Sequence, residues 1–165
     1  MIFDDTIVAA ATPYGYGGIA VVRLSGRAAE SITQNICRRA AGFKDRRATI
    51  VTLYRSNKEP FDSAVVTFYK HPNSYTGEDI VELSCHGSPT IVEKIIEEAM
   101  NLGARTAEPG EFTHRAFLNG KLDLVQADVV KKKKRLGARH DQVVDVHGHA
   151  VLADGVEHTE LGGQQ

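Results

Sequence analysis

Glu78-Asp-Ile-Val-Glu-Leu-Ser-Cys-His-Gly-Ser-Pro-Thr-Ile-Val-Glu-Lys-Ile-Ile-Glu-Glu-Ala-Met-Asn-Leu-Gly103 sets a strand directly against a helix. Over residues 78–85 the apolar period is two, with Ile80 and Leu83 as apolar members and Glu82 on the face of Ile80. An acid there needs a reason. From Ser88 onward the period changes to that of a helix. Ser88 stands at the cap position, Pro89 in the first turn, and Gly103 as the stop. Ile91, Ile95 and Ala99 make one apolar row and Val92, Ile96 and Met100 the adjacent one, while Glu93, Lys94, Glu97 and Glu98 take the outer surface. A one-sided helix following a half-polar strand packs on a sheet, so the predicted class is α+β: a mixed β-sheet with packed helices.

The flanking sequence repeats the same grammar. Residues 5–12 and 18–25 are short and β-branched, and read as two strands separated by the loop 13–17. A helix is predicted over 27–40, with Ile32, Ile36 and Ala40 at four-residue spacing and Arg38-Arg39 at the end that favours cations. Residues 48–55 and 62–70 follow as strands joined by a polar connection of hairpin length, and Ala64, Val66 and Phe68 mark the apolar face of the second. Residues 104–108 add a strand, Pro109-Gly110 a turn, and 111–119 a short helix carrying Phe112 and Phe117. Asp123 with Gln126 reads as a capping box opening a further helix through Val130.

A chain of 165 residues, 42% hydrophobic and 25% charged, fits one folded domain with a short appendage. No apolar run reaches the roughly 20 residues of a membrane span, and residues 1–5 carry two acids where a secretory signal has a basic region. A cytoplasmic protein with no membrane association is the expectation. Two cysteines, Cys37 and Cys85, are too few for a disulfide framework and are expected to be reduced and buried. Charge changes abruptly near residue 130. Residues 1–130 hold 14 basic and 16 acidic side chains, residues 131–139 hold six basic and no acidic ones, and residues 140–165 hold five acids and no Lys or Arg. The last stretch also carries four of the seven histidines, and its glycines break every apolar period, so disorder is expected there rather than a metal site.

Some motifs lead nowhere. Gly15-Tyr-Gly-Gly-Ile-Ala20 matches the dinucleotide pattern G-x-G-x-x-A, but it opens a strand, whereas pyrophosphate binding requires a helix N-terminus. It reads as a tight loop between strands. No G-x-x-x-x-G-K-[ST] occurs, because Gly120-Lys121 is followed by Leu122, so this chain is not expected to hydrolyse GTP by itself. Cys85-His86 would suggest a thiol beside an imidazole, but neighbours on a strand point to opposite faces. Cys85 is therefore read as a core residue and His86 as a local hydrogen-bonding group.

Glu108-Pro-Gly-Glu-Phe-Thr-His-Arg-Ala-Phe-Leu-Asn-Gly-Lys-Leu-Asp-Leu-Val-Gln-Ala127 resembles the signature of the MnmE (TrmE) family of tRNA-modification GTPases. The resemblance extends upstream through Asp5-Thr-Ile-Val-Ala, Ala11-Thr-Pro, Gly17-Gly-Ile-Ala, Arg23-Leu-Ser-Gly26, Tyr75-Thr-Gly-Glu-Asp79 and Val81-Glu-Leu with Cys85-His-Gly87. It covers about residues 4–130.

The resemblance implies an N-terminal folate-binding and dimerisation domain, similar in fold to the tetrahydrofolate-binding part of the aminomethyltransferases. This domain would span 1–121, the beginning of a helical domain 122–130, and a divergent tail 131–165. Family members carry a GTPase inserted in the helical domain and work with MnmG, an FAD-dependent partner, on the wobble uridine (U34) of certain tRNAs. Reduced folate, as 5-formyl- or 5,10-methylene-tetrahydrofolate, supplies the one-carbon unit. GTP, Mg and K of the family are not expected here, since the GTPase motifs have no counterpart in these residues. Arg23, Glu82 and Lys121 match the family's folate-binding positions. The chemistry suits that assignment: a pterin displays an edge of N–H donors that a carboxylate accepts, and its glutamate tail carries carboxylates that need cations. On the residues alone, Arg23 and Glu82 also read as a mutual ion pair between neighbouring strands, and Lys121 as a surface lysine. A reading of a different class is a stand-alone RNA-binding module using residues 131–139.

Overall fold

The computed structural model describes residues 4–123 and Val125. Six strands form one sheet in the order β3-β4-β5-β2-β1-β6: β1 Ile7–Ala10, β2 Ile19–Ser25, β3 Thr49–Tyr54, β4 Pro60–Tyr69, β5 Ile80–His86 and β6 Arg105–Thr106. All neighbours are antiparallel except β1 and β6, so the sheet is mixed and the α+β expectation is met. Among the described residues three helices accompany it: α1 Ala29–Ile36, α2 Pro89–Asn101 and α3 Glu111–Leu118. Among the described residues no helix is long and apolar enough to cross a membrane.

Strand alternation divides the sheet into two unlike faces. One presents Val8, Ala20, Val22, Leu24, Val51, Leu53, Ala64, Val66, Phe68, Val81, Leu83 and Cys85 to the main core, which Ile32, Ile36, Val92, Ile95 and Ala99 of α1 and α2 complete. Burying an Ile or Leu in such a layer contributes about 1.5–3 kcal/mol, which makes this face the main source of cohesion. Both cysteines are free and buried within it. Burial pushes the Cys37 thiol up to about 12 and that of Cys85 to about 11, so both are inert as nucleophiles.

The other face carries Ile7, Arg23, Ser25, Ile80 and Glu82, and beyond them Ile19, Val21, Ile50 and Val65. Glu82 does lie on the Ile80 side of its strand, and that side is turned away from the helical core. The loop 71–79 and α3 cover one half of this face. The other half is open, with Ile19, Ile50 and Val65 exposed.

Several predicted boundaries move. α1 was expected to run to Ala40 but ends at Ile36, with Cys37 as its cap residue. Arg38 takes a φ of 52°, and the Arg38 and Arg39 guanidinium groups lie 5.5 Å from the Tyr54 ring and 5.6 Å from the Phe43 ring. Packing on aromatic rings thus overrides the dipole argument for those cations. Ser88 occupies the N-cap of α2, but its side chain makes no capping hydrogen bond; instead its carbonyl accepts from Ile91 and Val92 N–H. The strand predicted over 104–108 contracts to Arg105–Thr106, a parallel edge on β1. β4 begins earlier than expected, at Pro60, where the missing N–H is harmless at a strand's first residue. The glycine-rich pattern at 15–20 leads into β2 and opens no helix, as anticipated. The helix predicted from Asp123 lies outside the described residues apart from Asp123 and Val125. The basic run 131–139, the histidines after residue 139 and the tail boundary lie wholly outside them.

Candidate functional site

Arg23 and Glu82 are direct cross-strand partners, paired in the register of β2 with β5. Arg23 Nε donates to Glu82 Oε1 at 2.8 Å, and Nη2 reaches the same oxygen at 2.8 Å. Their side chains are only 6% and 12% exposed, so the pair is shielded from water and each charge depends on the other. Tyr75, from the loop 71–79, and Phe112, from the first turn of α3, both hold their rings 5.7 Å from the Arg23 guanidinium. The Tyr75 hydroxyl bonds Thr113 Oγ1 at 3.0 Å and ties the loop to the helix. Tyr69, one strand away, directs its hydroxyl to Glu82 Oε2 at 3.5 Å. Burial, reinforced by the charge of Glu82, raises the Tyr69 phenol above its ordinary range, so it remains a donor.

Lys121 stands apart from this pair. It follows α3, and a Cβ placed on Gly77 would meet its Cε at 3.2 Å and the Asn119 Cβ at 3.1 Å. Gly77 has a φ of +77°, so both its conformation and its surroundings suit glycine. Asn119 Nδ2 donates to the Thr76 carbonyl at 2.8 Å. Lys121 therefore borders the same loop that supplies Tyr75, without a hydrogen bond or ion pair to Arg23 or Glu82. The structure brings two of the three predicted residues into contact and places the third across the loop from them.

What anchors the loop and α3 to the sheet was missed in the sequence. Arg115 is fully buried, and its guanidinium gathers Asp5, Glu78 and Glu111 at 2.7, 3.2 and 2.9 Å. Ser25 Oγ donates to Glu78 Oε2 at 2.7 Å and meets Thr76 Oγ1 at 2.7 Å. Arg105 pairs with Asp5 and Glu111 from the edge. Desolvation pulls the Glu111 carboxyl upward, but the hydrogen bonds from Arg105, Glu108 N–H and Arg115 outweigh it and hold the group down at about 2. From sequence, Glu111 and Arg115 look like an ordinary surface pair at i,i+4 spacing. Only the acids at 5 and 78, far away in the chain, distinguish it.

His86 and Cys85 behave as read. Cys85 lies in the core, and the His86 ring is exposed, with Nδ1 2.6 Å from Asp62 Oδ1. No group of His, Cys, Asp and Glu among the described residues has the arrangement of a metal site.

Residues 6–121, which carry all of this geometry except Asp5, match the family described as GTP-binding protein TrmE N-terminus. The chain belongs to the TrmE N-terminal family. It is 50% identical over 126 residues to the tRNA modification GTPase MnmE of Aquifex aeolicus, covering 76% of this chain and 28% of that protein. It is 52% identical over 127 residues to the protein of the same name from Thermotoga maritima, with 77% and 28% covered. The corresponding protein of Francisella tularensis subsp. novicida is 51% identical over 130 residues, with 79% and 28% covered. The chain thus spans under a third of the length of these TrmE relatives.

Proposed function

We propose that this chain is the folate-binding portion of an MnmE-type tRNA wobble-uridine (U34) modification protein, with Glu82 and Arg23 receiving the pterin of a reduced folate and Lys121 its anionic tail. The observation that supports this most is the shielded Arg23–Glu82 pair, built on the sheet face that the hydrophobic core does not use. A carboxylate with low exposure among aromatic rings is suited to accept a flat ligand's N–H edge, because hydrogen bonds to a charged group strengthen as water is excluded. A cation across the loop suits the tail. Net stability alone gives little reason for the pair, since replacing a buried ion pair with an apolar couple of similar volume is often neutral or stabilising.

The one-carbon unit comes from the folate, as 5-formyl- or 5,10-methylene-tetrahydrofolate, and MnmG and tRNA act with the longer protein. Family membership also supports a homodimer through this domain. The open half of the second face is a suitable surface, since exposed Ile50 and Val65 are direct cross-strand partners and Ile19 lies exposed two strands beyond Val65.

Calorimetric titration of the chain with 5-formyltetrahydrofolate, set against titration with tRNA at two salt concentrations, tests the reading. Folate uptake is expected, weakened about ten- to a hundredfold by Glu82→Gln, which keeps the shape but loses a charge-assisted hydrogen bond of about 1.5–3 kcal/mol. A folded Glu82→Gln variant with unchanged folate affinity removes Glu82 from the site. Salt-sensitive tRNA binding without folate binding would favour an RNA-binding module instead.

A further inference from the structure

Glu82 does not offer its two oxygens equally. Oε1 already accepts from Arg23 Nε and lies 2.8 Å from Nη2, so it is the oxygen that the guanidinium engages. Among the described residues Oε2 has only the Tyr69 hydroxyl, at 3.5 Å, the outer limit of a hydrogen bond. A ligand that leaves the Arg23 pair intact therefore finds its acceptor at Oε2, on the Tyr69 side.

Tyr69 is well fixed for that encounter. It lies diagonally across from Glu82, because Tyr69 faces Ile80 and Thr67 faces Glu82 in the pairing of β4 with β5. Arg46 holds its guanidinium 5.6 Å from the Tyr69 ring. Arg46 is itself pinned: its N–H donates to the Phe68 carbonyl at 2.7 Å and its Nη2 to the Asn73 carbonyl. The ring is thus held between strand neighbours and a cation while its hydroxyl stays beside the unsaturated oxygen. Such fixed placement lowers the entropy lost on binding.

We infer that Tyr69 is a further binding residue of this site, sharing with Glu82 Oε2 the exocyclic amino group of a 2-amino-4-oxo heterocycle such as a reduced pterin. One amino hydrogen is donated to Oε2 and the other to a lone pair of the Tyr69 oxygen, whose own proton stays directed at Oε2. This rests on the folate reading above and adds to it the direction from which the ligand enters and the group it must carry.

Titration of the full chain and its Tyr69→Phe variant with 5-formyltetrahydrofolate, and with the analogue bearing a methyl in place of the 2-amino group, tests it. Tyr69→Phe is expected to weaken the natural folate about three- to tenfold, the weight of one hydrogen bond, and to leave the weaker binding of the analogue unchanged. A change in packing alone would affect both ligands alike. Equal loss for both, or a Tyr69→Phe variant that binds the natural folate as well as the parent, overturns the role of Tyr69 while the folate reading stands. A parent chain that takes up no folate overturns both.

Discussion

Replacing Arg115 with Met removes the buried hub that joins the N-terminal strand, the loop 71–79 and α3. Among the described residues the guanidinium donates to the Asp5 carbonyl and carboxylate, to both oxygens of Glu78 and, through two nitrogens, to Glu111. The loss is unequal among these partners. Asp5 and Glu111 keep Arg105, and Asp5 is also partly exposed, so water and Arg105 compensate much of their deficit. Glu78, 11% exposed, retains among the described residues only the Ser25 hydroxyl on its carboxylate. Leaving a buried charge without its partner costs about 3–5 kcal/mol. At about 3–5 °C per kcal/mol for a domain of this size, the midpoint of thermal unfolding should fall by about 10–20 °C. Arg115→Lys keeps the charge but not the planar fork and should lose less than half as much. The measurement is thermal unfolding followed by circular dichroism. A shift below about 3 °C for Arg115→Met would refute the argument, since the network would then be no stronger than surface ion pairs.

Three further outcomes are expected. Gly87→Ala should be strongly destabilising, because its Cβ would meet the Gly17 carbonyl oxygen at 2.4 Å and the Gly17 carbonyl carbon at 2.6 Å. The Gly17 N–H to Gly87 carbonyl bond of 2.8 Å must then open, at a cost of about 1–3 kcal/mol before strain, and chemical denaturation would show it. Acid should unfold the chain progressively as pH falls from about 4.5 toward 2: Glu111 is depressed in the folded state, so its contribution is complete above its unfolded value and vanishes as it protonates. Glu111→Gln should lower stability at neutral pH and flatten that acid limb; an unaltered limb in unfolding curves taken at several pH values would assign acid sensitivity elsewhere. Light scattering should give about twice the 18.0 kDa of one chain at micromolar concentration, and a monomer mass with and without folate would count against the dimer.

Periodicity made the helices and the antiparallel strands legible, since both depend on the spacing of neighbouring residues. Ile91, Ile95 and Ala99 against Glu93 and Glu97 can be read without knowing what they touch. Arg23 and Glu82 were conspicuous because a charge interrupts each apolar strand. Their being directly opposite each other was not, for register depends on how far apart residues 23 and 82 fold, 59 positions away in the chain. Tyr69 and Arg115 left no local sign. An aromatic on a half-buried strand and an Arg four residues after a Glu have ordinary explanations, and only tertiary partners displace them. The end of α1 was misjudged for the same reason, because the rings that attract Arg38 and Arg39 belong to Tyr54 and Phe43.

The two-faced sheet also limits how its central strands can be assembled wrongly. If β5 slid past β2 by one residue, every side chain would exchange faces: Glu82 would enter the layer under α1 and α2, and Leu83 would turn toward Tyr75 and Phe112. Slides of two residues restore the correct face and escape that penalty. They would, however, set Glu82 opposite Val21 or Ser25 and Arg23 opposite Ile80 or Ser84, leaving two poorly hydrated charges apart. Hydrophobic alternation rejects the odd misalignments and the single charged couple rejects the even ones. Between them only the native alignment survives, so the residues proposed to hold the ligand are also the ones that tell the strands where to stop.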